Sequence, residues 1–255
     1  MVLLKDKTVI ITGATKGIGR AVAIGAAKQG ANLVLGGRDL TAGETLVAEI
    51  EAMGTGKAVF VPGDLTKVAY CEALTVAALQ HFGRLDGLVN YAGTVQACAS
   101  LTDVTEEQFD WIMRVNFKSA FFVTQAAIKA MMKEGGSIIF MGSLHAYGGE
   151  IDRPAYSCSK GAMHTLYKHV ARNYAINRIR ANWVTIGWIA TPGEVEFRRN
   201  MGTKDGWLEE AGAQIMPMGR LQQDEDYVDG VLYLLSDGAS QTSGSELFIT
   251  GGFTL

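Results

Sequence analysis

Short apolar runs recur along this chain, separated by longer stretches in which apolar residues return every three or four positions. The runs are rich in β-branched residues and apolar on both alternating faces, the pattern of strands buried on both sides of a parallel sheet. They predict strands at Thr8–Thr12, Asn32–Leu35, Ala58–Val61, Gly87–Asn90, Ser137–Met141, Arg180–Thr185 and Glu246–Ile249. The periodic stretches predict helices at Gly17–Gln29, Thr41–Met53, Ala69–Phe82, Glu106–Met132, Ala155–Ala175 and Glu225–Leu235. Strand followed by helix, repeated about six times, implies an α/β fold: a doubly wound parallel sheet of about seven strands with helices on both faces.

No linker, charge block or internal repeat divides the chain, so one domain is expected over residues 1–255. The rhythm breaks once, between Trp188 and Pro217, where a long stretch carries Pro192, Gly193, Glu194, Phe197, Arg198, Arg199 and Trp207 but no strand. An insertion of this kind beside the C-terminal edge of a sheet is a candidate substrate lid, with a surface excursion or subunit contact as the alternative.

Composition narrows the partners. A chain of 255 residues with 48% hydrophobic and 19% charged residues can bury a full core. A net charge of −3 gives no electrostatic case for nucleic acid. No run reaches the ~18 apolar residues of a membrane span. Met1-Val2-Leu3-Leu4 runs at once into Lys5-Asp6-Lys7, too short for a signal peptide, and Cys71, Cys98 and Cys158 form no Cys-x-x-Cys pair. The expected address is the cytoplasm.

Two motifs carry the chemistry. After the first strand comes Gly13-Ala14-Thr15-Lys16-Gly17-Ile18-Gly19, then an alanine-rich helix. Glycines at a strand-to-helix turn permit positive φ and let a pyrophosphate approach the helix N-terminus. Gly13, Thr15, Lys16, Gly17, Ile18 and Gly19 are therefore candidate cofactor contacts. The second strand ends in Gly36-Gly37-Arg38, with no acid to bond a ribose 2′-hydroxyl. Arg38 with Lys16 suits a 2′-phosphate, which favours NADP(H) over NAD(H); otherwise both are solvated surface cations. Asp39 is expected to cap the helix that follows. Asp64 and Leu65 after the third strand, and Asn90, Ala92 and Gly93 after the fourth, suit an adenine acceptor and a close backbone approach, or else serve as caps and turns.

The second motif is Tyr156-x-x-x-Lys160, whose spacing puts both side chains on one helical face. An ammonium beside a phenol is expected to lower its pKa and bring proton exchange into a useful range. Ser143 ends the fifth strand thirteen residues before Tyr156, where its hydroxyl could hold a substrate oxygen. Cys158, between the two motif residues, is expected to be a buried spectator. The four histidines have no metal-ligand spacing, so no metal is expected.

In this order the motifs resemble the short-chain dehydrogenase/reductase family over nearly the whole chain: Thr12-Gly13-x-x-x-Gly17-Ile18-Gly19, Asn90-x-Ala92-Gly93, Asn116, Ser143, Tyr156-x-x-x-Lys160. The resemblance implies a Rossmann-like fold and an Asn116–Ser143–Tyr156–Lys160 tetrad. In it Asn116 distorts its helix and holds a water that relays protons to Lys160, and Lys160 also bonds the nicotinamide ribose. It further implies Thr191 on the nicotinamide carboxamide with a backbone contact at Ile189, the family's NADP-preferring branch, and a homotetramer or dimer built on the two long helices. Three positions depart from the family pattern: Tyr91 replaces an asparagine, Thr185-Ile186-Gly187 replaces Asn-Pro-Gly, and Thr250 replaces an aspartate.

The expected activity is hydride transfer between a secondary alcohol and a carbonyl. The substrate would be held by Ser143, His145, Tyr147, Glu150, Trp188 and Glu194, whose aromatic and polar mixture suits a small oxygen-rich molecule such as a sugar, polyol or hydroxyketone. A 3-oxoacyl thioester is the alternative within the class. A dinucleotide-binding protein that acts through a partner, without catalysis, is the alternative outside it.

Overall fold

The computed structural model describes residues 3–95, 99–190, 195, 199, 202–204 and 206–254. Its elements run β1 Thr8–Thr12, α1 Gly17–Lys28, β2 Asn32–Gly37, α2 Leu40–Met53, β3 Lys57–Pro62, α3 Val68–Phe82, β4 Gly87–Asn90, α4 Glu106–Ile112, α5 Ser119–Met131, β5 Gly136–Met141, α6 Pro154–Asn173, β6 Ile179–Ile186, α7 Trp207–Ile215, α8 Val228–Leu235 and β7 Glu246–Ile249. The strands form one parallel seven-stranded sheet in the order β3-β2-β1-β4-β5-β6-β7. This is the doubly wound parallel sheet the hydrophobic pattern implied, in the Rossmann-like form the resemblance implied.

Alternation along each strand feeds two cores. Val9 and Ile11 of β1 pack with Leu33 and Leu35 of β2 under α1, α2 and α8, while Ile10 and Val34 face α3, α5 and α6. The alanine-rich face of α1 (Ala23, Ala26, Ala27) is fully buried, and the absence of large side chains there lets the helix lie close to the sheet. Gly25 permits the α1–α8 contact, since a Cβ there would fall 2.4 Å from Val228. The strand order reverses between β1 and β4, so the crevice outside their C-terminal ends is where such sheets bind ligands.

Three departures from the pattern are local. The helix expected over Glu106–Met132 is interrupted by a π-helical segment, Met113–Lys118, that contains Asn116. The expected helix Glu225–Leu235 begins with a 3₁₀ turn at Asp224–Tyr227. The stretch from Trp188 to Pro217 contains α7, which the sequence pattern did not show. Asp39 caps α2 as expected, its carboxylate accepting from the Ala42 amide at 3.0 Å. Among the described residues no helix is long and apolar enough to cross a membrane.

Candidate active site

The glycine-rich turn is built from below by β4. The Thr12 hydroxyl accepts the Tyr91 and Ala92 amides at 3.1 and 3.2 Å and donates to the Val89 carbonyl, tying the end of β1 to the end of β4. Gly13 and Gly17 have φ of +70° and +60°, which side chains rarely adopt. A Cβ on Gly19 would lie 2.5 Å from the Gly13 carbonyl oxygen and 2.7 Å from the Tyr91 ring. Gly19→Ala is therefore expected to cost about 1–3 kcal/mol of stability. It should also weaken dinucleotide binding, measured by thermal denaturation and equilibrium titration of the same preparation.

Tyr91, which stands where the family pattern has an asparagine, is the floor of this turn. Its ring touches the Cβ positions of Gly13 and Gly19, and its hydroxyl lies 2.7 Å from that of Gly17. The Ile18 amide faces that hydroxyl, and burial pushes the phenol up to about 12. Asp224 joins it from the 3₁₀ turn before α8, 3.7 Å from the Gly17 Cβ position; its Oδ1 is buried without a hydrogen-bond partner and burial raises its pKa. Neither role is visible in sequence, because both contacts join segments far apart in the chain.

The start of α1 suits an anion. Lys16 occupies the N-cap without a side-chain capping bond, and no acid lies in the first turn, so the positive end of the helix is uncompensated from within. Arg38 and Lys16 are both exposed, and Gly37 leaves the end of β2 without an acidic side chain. Asn90 donates to Thr124 at 3.0 Å while its Oδ1 is buried with no partner. Together these features fit a dinucleotide at the C-terminal ends of β1, β2 and β4. Asp64 already engages Thr66 through both oxygens, at 2.9 and 2.7 Å, as a turn residue and not a helix cap, since Lys67 holds the N-cap of α3; these bonds with nearby Lys67 and Arg38 hold its carboxyl below the ordinary range.

The second motif converges on the end of β5. Ser143 is buried, in extended backbone, and its hydroxyl accepts the His145 amide at 3.2 Å. It also interacts with the partly exposed Tyr156 phenol. Lys160, only 5% exposed, donates from Nζ to the Met141 carbonyl at 3.0 Å and lies 5.8 Å from the Tyr156 ring centre. Tyr156 is close enough to Tyr91 to affect its ionisation, which brings the second motif alongside the glycine turn.

Electrostatics here differ from the expectation that an ammonium lowers the phenol. Burial raises the Tyr156 pKa, while Ser143 and the charge of Arg153 pull it down less strongly. Burial also lowers Lys160 from 10.5 to about 8. Desolvation wins because Lys160 is buried and the Tyr156 phenol, though its residue is partly exposed, sits against the buried Ser143.

Asn116 closes the arrangement from the π segment. Its Oδ1 accepts the Thr94 amide at 2.7 Å and its Nδ2 donates to the Thr94 carbonyl at 2.9 Å and to Ser159 Oγ at 3.1 Å. Ser159 in turn donates to the Tyr156 carbonyl at 2.7 Å, so the amide ties the loop after β4 to the turn of α6 that carries Tyr156 and Lys160. π segments of this kind are frequent at functional sites.

The expected substrate contacts divide. His145 stays close, its ring 5.4 Å from that of Tyr156, and burial lowers its pKa. Tyr147 does not join them: its hydroxyl donates to Glu246 at 2.6 Å and lies 3.1 Å from Thr185, and its ring stacks on Phe248, because the four-donor carboxylate on β7 draws it outward. Glu150 is exposed and pairs with Arg153 at 3.7 Å. Trp188 packs edge-on against Trp207 at the start of α7, and Ile189 bridges to Gln222. Thr191 and Glu194 lie outside the described residues. Cys158 is exposed rather than buried, since it sits on the solvent side of α6.

A family model described as enoyl-(acyl carrier protein) reductase matches residues 13–254. Glucose 1-dehydrogenase 2 of Bacillus subtilis (strain 168) is 34% identical, with 99% of this chain and 96% of that protein covered. L-rhamnose 1-dehydrogenase (NAD(P)(+)) of Sphingomonas sp. (strain SKA58) is also 34% identical, with coverage of 99% and 98%. A crystal structure of a candidate short-chain alcohol dehydrogenase from Sinorhizobium meliloti 1021 superposes with a TM-score of 0.90 at 30% identity, covering 98% of this chain and 97% of the other. The chain belongs to the short-chain dehydrogenase/reductase family. It is an NAD(P)-dependent oxidoreductase acting on CH–OH groups.

Proposed function

We propose that this enzyme interconverts a secondary alcohol and a carbonyl on a small oxygen-rich substrate, with NADP(H) preferred. The observation that carries the reading is the meeting of Ser143, Tyr156 and Lys160 at the end of β5, beside the glycine turn. The nicotinamide, when bound, supplies or accepts the hydride. Tyr156 gives the substrate oxygen its proton in reduction and takes it back in oxidation. Ser143 holds that oxygen and stabilises its developing negative charge. Lys160, held by the Met141 carbonyl, would bond the nicotinamide ribose of a bound cofactor, and it returns a proton to the phenol. Asn116 keeps α6 in register with the loop after β4 and lies on the proton path to Lys160.

Preference for NADP(H) rests on Lys16 and Arg38 together with Gly37, where an acid would repel a 2′-phosphate. Arg38→Ala is expected to weaken NADPH by roughly tenfold and NADH by less than about twofold. Equal losses for both, in equilibrium titrations, would remove the preference. For the substrate, support comes from His145 beside Tyr156 and from relatives named for glucose and rhamnose. An acyl thioester is the second reading, favoured by the description of the matching family model. A panel of sugars, polyols, ketones and 3-oxoacyl thioesters, followed through the absorbance of the reduced nicotinamide, separates the two. Turnover confined to thioesters would overturn the sugar reading, and NADPH binding without any turnover would overturn catalysis itself.

The reading includes a single catalytic domain, with residues 188–217 as the substrate lid. It also includes a homo-oligomer, tetramer or dimer, formed across α4, α5 and α6. Phe109, Trp111 and Phe121 leave an apolar stripe exposed there, which supports that assembly.

A further inference from the structure

Tyr70 lies in the first turn of α3, and nothing in the motif pattern marks it. Its hydroxyl accepts the Gly37 amide at 3.1 Å and donates to the Val61 carbonyl. Those two groups belong to the last paired residues of neighbouring strands, where Gly36 stands opposite Val61 and Gly37 opposite Pro62. A side-chain hydroxyl is thus inserted between the main chains of β2 and β3 where they leave the sheet. The ring fills the space around it. A Cβ on Gly63 would fall 2.3 Å from two ring carbons, and one on Gly36 would sit 3.4 Å from the hydroxyl oxygen.

The consequence falls on the next residue. Arg38 follows the Gly37 amide directly, and Asp64 follows Gly63, so one phenol sets the backbone from which both side chains leave. The electrostatics agree with that proximity. Asp64 feels the charge of Arg38 and Tyr70 feels the charge of Asp64. Burial pushes the phenol up to about 12, so it stays a donor to Val61 throughout the neutral range.

We propose that Tyr70 is a specificity-determining positioning residue: its hydroxyl wedges the ends of β2 and β3 and so aims Arg38 at an adenosine 2′-phosphate. The inference rests on the NADP(H) reading above. It concerns the chain's own geometry, so it can be tested on nucleotide fragments without turnover.

The test compares Tyr70→Phe with the unaltered enzyme in calorimetric titrations against adenosine 2′,5′-bisphosphate and 5′-AMP. Phenylalanine keeps the ring on Gly63 and removes only the bridge. The bisphosphate should bind about fivefold more weakly, the size of one neutral hydrogen bond, while 5′-AMP changes by less than about twofold. The turnover number at saturating cofactor should not change. Equal weakening of both fragments would make Tyr70 a purely structural residue and overturn the proposal, as would no weakening of either. Arg38→Ala, titrated in parallel, separates the failures. Selectivity lost in that variant but kept in Tyr70→Phe sinks the role of Tyr70 alone; selectivity kept in both sinks the NADP(H) reading as well. Should Tyr70→Phe fail to fold, Gly63→Ala presses on the ring from the other side and must show the same selective loss.

Discussion

Tyr156→Phe is expected to lower turnover in both directions by roughly two to four orders of magnitude, the range attributable to one positioned acid–base group. NADP(H) affinity, measured by titration, should stay within about twofold. The ring remains to pack against His145, and the substitution touches neither the glycine turn nor the cations at the end of β2. The direction of the pKa shift makes the prediction sharper. Burial holds the free phenol protonated well beyond neutral pH, with Ser143 and Arg153 only partly opposing it, so the resting enzyme is an acid. Reduction therefore needs no prior ionisation, whereas oxidation must first take a proton off. Reductive turnover should be flat across neutral pH while oxidative turnover climbs with rising pH. A phenylalanine variant that kept even a tenth of the activity would mean that the proton comes from another group, with His145 the nearest candidate.

What was legible in the sequence is what depends on short-range pattern. Strand period, helix period, the cap at Asp39 and the glycine turn are each encoded within a few residues, and all seven strands lie where the pattern put them. The strands run two residues longer than the pattern at β2, β3 and β6 and one longer at β5; at β2, β3 and β5 a glycine or proline at the strand end hides pairing that continues, whereas β6 gains an isoleucine at each end. The π segment around Asn116 was masked because inserting one residue into a turn barely alters the apolar spacing on either side. Tyr70, Tyr91 and Asp224 were missed for a different reason. Each gains its role from a partner on another strand or turn, such as the Ile18 amide above Tyr91, and no local spacing reports such a meeting. Tyr147, expected among the substrate contacts, is turned aside for the same reason: a carboxylate on β7 decides where it points.

Lys160→Met should abolish most activity and yet make the protein more stable at neutral pH. Lys160 is 5% exposed, and its pKa falls from 10.5 to about 8 because burial disfavours the charged form. A group whose charged form is disfavoured in the folded chain binds its proton more weakly there than in the unfolded chain. Below about pH 8 both states carry the proton, and folding bears the whole penalty, on the order of 3 kcal/mol. Between about 8 and 10.5 the folded chain releases the proton first, and the penalty fades; above that window it is gone. Methionine removes the charge at nearly the same length, and leaves the Met141 carbonyl without its donor at a cost of about 1 kcal/mol. The net gain at pH 7 is roughly 2 kcal/mol, a rise in Tm of about 5 °C for a chain of this size. As pH rises through the window the gain should shrink and then reverse, since only the lost hydrogen bond remains. Thermal unfolding of both proteins from pH 6 to pH 11 measures this directly. A methionine variant less stable at pH 7, or an offset that does not vary with pH, would mean that Lys160 is solvated in the folded enzyme. The same titration should appear in the activity of the unaltered enzyme. Loss of the ammonium above about pH 8 removes the cation that refills Tyr156, so reductive kcat/KM should decline there while the fold becomes more stable. Stability and catalysis then move in opposite directions across one pH window, as expected where a charge is kept in a dry site for its chemistry.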